Sequence, residues 1–111
     1  MSCRHIPVRL LTSSAEVRIP ADGDYGGEFA SEAVTIDGVM YVASSSLDRS
    51  QTTLTDGAAG VLFIDAMHSS GAFALPVGSL VSIDGAPEVS AVSVREFRVG
   101  DDVHHWEVDV R

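Results

Sequence analysis

The chain has no lysine and no asparagine, one cysteine, and only seven aromatic residues among 111. Each shortage closes off a class of protein. The lone Cys3 cannot form an internal disulfide, and near a terminus it has no companion at zinc-ligand spacing, so it reads as an inert thiol. Apolar runs nowhere reach the length of a membrane span, and Met1 to Leu11 lacks the apolar stretch of a secretory signal. The expectation is a soluble protein, cytoplasmic at synthesis, with no membrane partner. All seven cations are arginine, against sixteen acids, for a net charge of −9. Such a surface repels a phosphate backbone and argues against sequence-specific DNA binding, and it is compatible with a passage past which DNA slides without sticking. The missing lysine and asparagine read as the coding bias of a GC-rich genome rather than a physical requirement.

What is present is a foldable amount of apolar surface. Hydrophobic residues make up 45% of the chain and charged residues 21%, enough burial to offset conformational entropy, and the length suits a single domain over residues 1–111. Valine occurs fifteen times, with short Gly and polar clusters between β-branched runs and little helical periodicity, which predicts an all-β fold. Val8 to Ile19 reads as a first strand ended by Pro20, and Ala33 to Ser44 as a second in which Asp37 and Gly38 mark either a bulge or a tight turn. Residues Ser44 to Gly60 are small and polar and read as a long loop between strands 2 and 3. Val61 to Ile64 is apolar on both faces, as in a central strand, with Asp65 closing it. SLVSI, the five-residue loop DGAPE and SAVSVREFRV form an antiparallel hairpin, and Gly100 to Asp102 turns into the closing strand. In the longer arm, Val92 and Val94 share one parity while Phe97 and Val99 take the other, so a bulge near Arg95 or Glu96 is expected to restore one apolar face. The sum is a small barrel or sandwich of about six mostly antiparallel strands.

Candidate chemistry is sparse. In the closing strand, simple alternation puts His104, Trp106, Val108 and Val110 on the buried face, and His105, Glu107, Asp109 and Arg111 on the other. The two imidazoles then diverge, and neither has a second ligand on its own face, so no metal is assigned. His104, Trp106 and Val108 are read as structural. Asp22, Asp24 and Glu28 in ADGDYGGE lack the third acid and terminal Glu of a calcium loop and read as a turn. No GxSxG elbow, no spaced Ser, His and Asp order and no phosphate loop occurs, and sequence places no carboxylate beside His5 or His68. No catalytic residue, cofactor or enzyme activity is expected.

Four segments in order, PVRLLT (Pro7 to Thr12), LFIDAMHSSG (Leu62 to Gly71), VGSLVSIDG (Val77 to Gly85) and HHWEV (His104 to Val108), resemble small phage minor capsid proteins of the head-tail connector, or stopper, type. The resemblance covers nearly the whole chain. It implies a non-enzymatic subunit of a dodecameric ring in the virion neck, formed in the host cytoplasm during assembly. Its partners would be other copies of itself, the portal and head-tail adaptor, and the tail terminator or tail tube. Packaged DNA would pass through the lumen without sequence-specific contact. It further implies a loop reaching into that lumen to retain DNA, here Asp48, Arg49, Gln51, Thr52, Thr53, Leu54, Thr55 and Asp56. Acidic side chains of Asp48, Asp56, Asp101 and Asp102 would keep DNA from adhering if they face the channel. A tail-terminator or tail-completion ring is the alternative, and a small-molecule-binding barrel a third, for which aromatic side chains are scarce.

Overall fold

Period-two alternation over short β-branched runs builds strands that bury one face, while the strand Gly60–Asp65 is buried along nearly its whole length. A computed structural model describes residues 5–20, 33–43 and 59–111. Within these, β1 (Ser13–Arg18), β2 (Val34–Ala43), β3 (Gly60–Asp65), β4 (Leu80–Ile83), β5 (Val89–Val99) and β6 (Asp102–Val110) are joined in the order β1-β2-β3-β6-β5-β4. Every pairing is antiparallel, and β4 pairs with β1 through Ala15↔Ile83 to Arg18↔Leu80, so the sheet closes on itself. That last pairing decides for a barrel over a sandwich, because two sheets face to face would leave β1 and β4 as edges.

The core runs down the barrel axis and is made of small and branched side chains. Ala15 and Val17 come from β1, Ile36 and Val39 from β2, Leu62 and Ile64 from β3, Val81 from β4, Ala91 from β5, and Trp106, Val108 and Val110 from β6. Leu75, in the segment between β3 and β4, joins them. A small barrel is filled by side chains and admits few large rings, which accords with the scarcity of aromatics. The indole Nε1–H of Trp106 reaches Glu96 Oε1 at 3.1 Å, so this buried ring keeps its polar atom paired.

Two glycines shape the sheet. Gly38, at φ 75°, is the extra residue between Ser13↔Val39 and Ser14↔Asp37, so the bulge reading of Asp37 and Gly38 is the correct one. The bulge frees the Asp37 backbone to pair with Ser70 after β3. Gly60, opening β3, sits where a Cβ would lie 2.6 Å from the Val42 carbonyl oxygen and 2.7 Å from Tyr41 Cζ. Gly60→Ala is therefore expected to cost about 2 kcal/mol, read as a lower urea midpoint at unchanged m-value. An unaltered midpoint would remove the close-approach explanation.

Three local expectations need correction. Val8 to Leu10 is a 3-10 turn rather than the start of a strand, which begins only at Ser13. The bulges of the last hairpin are not at Arg95 or Glu96. One makes Val92 the extra residue between Ala91↔Val110 and Ser93↔Asp109, and the other makes His104 the extra residue between Phe97↔His105 and Arg98↔Val103. Phe97 and Val99 consequently do not rejoin the core face and stay exposed. The reason is geometric: β4 reaches β5 only at Val89 and Ser90, and β3 reaches β6 only up to His105, so the hairpin tip extends past the barrel. There it has no core to face.

Candidate functional site

The chain's four histidines come from three places far apart in sequence, and the barrel gathers them at one end. The organiser is Asp65, fully buried at the end of β3. Its Oδ2 accepts the amides of Met67 at 3.0 Å and His68 at 2.7 Å, as Asp does when it opens a turn. Its Oδ1 accepts the Ile6 amide at 2.9 Å and His5 Nδ1–H at 3.1 Å, tying the segment before the 3-10 turn to β3. Burial, the largest single influence on this carboxyl, would raise its pKa. The amides of His68, Ile6 and Met67, with the His5 imidazole, outweigh burial and hold it below the ordinary carboxylate range.

From Asp65 the imidazoles form a line. His5 stacks on His104 with ring centroids 4.8 Å apart and planes within 4°, and His68 lies 5.8 Å from His5 at a tilt of 59°. His5 Nδ1 also faces the His104 carbonyl oxygen at 3.1 Å, and His68 Nδ1 faces the Ile6 carbonyl at 2.9 Å. His104 Nδ1 meets His105 Nδ1 at 2.7 Å, and His105 Nε2 meets Glu107 Oε2 at 3.0 Å. His105 further stacks on Phe97 at 4.6 Å.

These contacts overturn the divergence expected of His104 and His105. Alternation requires an unbroken strand, and the extra residue at His104 breaks it, turning that ring toward its neighbour. The network also assigns tautomers. Against a carboxylate, His105 Nε2 carries the proton, so its Nδ1 accepts and His104 Nδ1–H donates. His104 is thus half-buried against His5 and His105 rather than beside Trp106 and Val108, which do line the core.

The outer face of the hairpin continues the line. Arg95 NH1 and NH2 donate to Asp109 Oδ2 and Oδ1 at 2.8 and 2.9 Å, and NH2 reaches Glu107 Oε1 at 3.4 Å. Asp109, expected beside solvent or a neighbour, is fully buried beneath this fork. The Arg95 guanidinium is held even more firmly in its charged form, first by its hydrogen bond to Asp109 and against the cost of burial. The imidazole–carboxylate pairs are set against carbonyls, aromatic rings and one another. Ser69 Oγ, the nearby hydroxyl, donates to the Gly38 carbonyl and accepts the Asp65 amide. The arrangement fastens elements together and presents no activated nucleophile.

Sequence reasoning missed Asp65 as the hub. Its turn-forming spacing to Met67 and His68 was a readable signal, whereas its contact with His5 depends on a fold that brings together residues sixty apart. The lumen-loop residues Asp48, Arg49, Gln51, Thr52, Thr53, Leu54, Thr55 and Asp56, the ADGDYGGE turn and Cys3 lie outside the described residues. Of the four acids assigned to tips, Asp101 and Asp102 are exposed at the hairpin turn. Large apolar side chains exposed elsewhere are Val8, Leu10, Val34, Met67 and Val77.

The minor capsid protein family matches the chain over residues 7–110. Neither a curated protein nor a solved structure matches it. The match takes in all six strands and every member of the cluster except His5. With a closed barrel, an extended hairpin and no catalytic constellation among the described residues, the chain belongs to the minor capsid protein family, the structural components of a phage virion.

Proposed function

We propose that the protein is a ring-forming subunit of the head-tail connector of a tailed phage, placed beneath portal and adaptor. There it offers the tail an attachment surface and helps to retain packaged DNA. The observation that carries this reading is the β5–β6 tip. A closed barrel has no edges to offer a neighbour, but from Val92 onward the outer edge of β5 has no partner strand among the described residues. The same tip exposes Phe97 and Val99, which are 39% and 42% accessible. A strand edge flanked by apolar side chains suits pairing with another chain, and head-to-tail contacts of that kind close into rings when the rotation allows. The net charge of −9 supports passage of DNA without adhesion.

Light scattering of the protein alone and mixed with purified portal–adaptor complexes tests the assignment. The wild type is expected to join the portal–adaptor particle as a ring. The double variant Phe97→Asp, Val99→Asp is expected to bind at least tenfold more weakly, with its far-UV spectrum retained. A double variant that assembles like wild type would overturn the role of the tip. Binding to tail-tube ends in preference to portal would move the protein to the tail-terminator reading.

A further inference from the structure

We propose that His5, Asp65 and His104 form a binding site for a divalent transition-metal ion of the zinc class. The three come from the segment before the 3-10 turn, the end of β3 and the bulge of β6, and their ligand atoms all lie within 4.8 Å of one another. Two ligands at zinc distance in a tetrahedral site stand about 3.3 Å apart. His5 Nδ1 and Asp65 Oδ1 are already 3.1 Å apart. One edge of the tetrahedron is therefore built, and only His104 has to close in.

Electrostatics favours a cation here. Among the described residues two acids are fully buried, Asp65 and Asp109. Asp109 has the fork of Arg95, whereas the ion-pair partners of Asp65 among the described residues are imidazoles, His5 and His68. A buried carboxylate held in its charged form gains from a compensating positive charge, which a metal ion supplies. The donor set of two imidazoles and one carboxylate suits zinc, nickel or copper and does not suit calcium or magnesium, which take oxygen ligands.

Outer contacts of the kind that orient metal ligands are in place. The amides of Ile6, Met67 and His68 fix the Asp65 carboxylate. Glu107 holds His105, and His105 meets the His104 ring through Nδ1, which fixes the orientation of that ring. His5 ligates through Nδ1, and the proton it now directs at Asp65 is released to solvent as the ion takes its place. The His5 and His104 rings now stack in parallel, so binding would require one of them to rotate until both lone pairs meet at the ion. Water fills the fourth position.

The test is calorimetric titration of tag-free, chelator-treated full chain with Zn²⁺ at fixed neutral pH, each variant being checked for its far-UV spectrum. The expected result is one ion per chain, with affinity reduced at least tenfold in His5→Gln and again in His104→Gln. Glu88→Gln, on the β4–β5 turn, is expected to bind like wild type. No binding up to zinc on the order of 1 mM overturns the proposal. So does equal affinity in wild type and both histidine variants, which would place the bound ion elsewhere on the chain. The outcome is independent of whether the protein forms a connector ring.

Discussion

Asp65→Ala is expected to destabilise the protein by about 3 kcal/mol at neutral pH, measured by urea unfolding in the presence of chelator. The carboxylate is the acceptor for three backbone amides and one imidazole, and alanine leaves those donors facing a buried space. Each unsatisfied buried donor costs about 1 kcal/mol or more, which sets the total. The penalty carries a pH signature. The folded-state pKa of Asp65 is depressed, so its ionised form stabilises the fold above the unfolded-state value of about 3.9. That contribution disappears as pH falls through the lower folded-state value. The gap between wild type and variant should thus be full near about pH 5 and shrink toward about pH 2. A gap under about 1 kcal/mol, or one indifferent to pH across that window, would mean that solvent already serves these donors.

Arg95→Met is expected to cost a similar amount, about 3 kcal/mol, although it removes a half-buried side chain from the outside of the barrel. Methionine keeps most of the aliphatic stem and so isolates the loss of the guanidinium. What the variant disturbs is Asp109, fully buried and gripped by both arms of the fork. Breaking a buried pair from one side takes this counter-charge from the charge that stays behind, which is far costlier than removing both partners. Adding Asp109→Asn to Arg95→Met should therefore recover at least half of the loss, a coupling that a double-mutant cycle reads directly. If the double variant were no more stable than Arg95→Met alone, the fork would be packing surface and not a counter-ion.

The features that sequence disclosed are those decided within a few residues. Asp84 and Gly85, both at positive φ, turn β4 back toward β5, and Gly100 does the same for β5 and β6. Val61 to Ile64, apolar on both sides, lies between β2 and β6, as a central strand should. Barrel closure was open between two readings because nothing local to Ala15 or Ile83 announces that they pair. The histidine line was hidden for a related reason. One extra residue at His104 reverses the parity on which the closing strand was read, and the place of a bulge is settled by the register against β5 and β3 together. Asp65 looked like a strand terminator and is one. Its second role, as the hub that draws in His5, belongs to the closed barrel alone.

The strand order also governs when the protein can exist. β3 pairs with β2 on one side and with β6 on the other, and β6 is the last of the six described strands in sequence order. During synthesis β1 and β2 can form a hairpin at once, but β3 carries an unpaired edge until β6 has been made, and β1 waits for β4. A nascent chain therefore shows its neighbours two open strand edges until β6 has emerged, the condition under which like chains pair wrongly. The tip of β5 and β6 is completed at the same moment that the barrel shuts. The surface proposed for assembly thus becomes available only when the edges that would compete with it have been withdrawn.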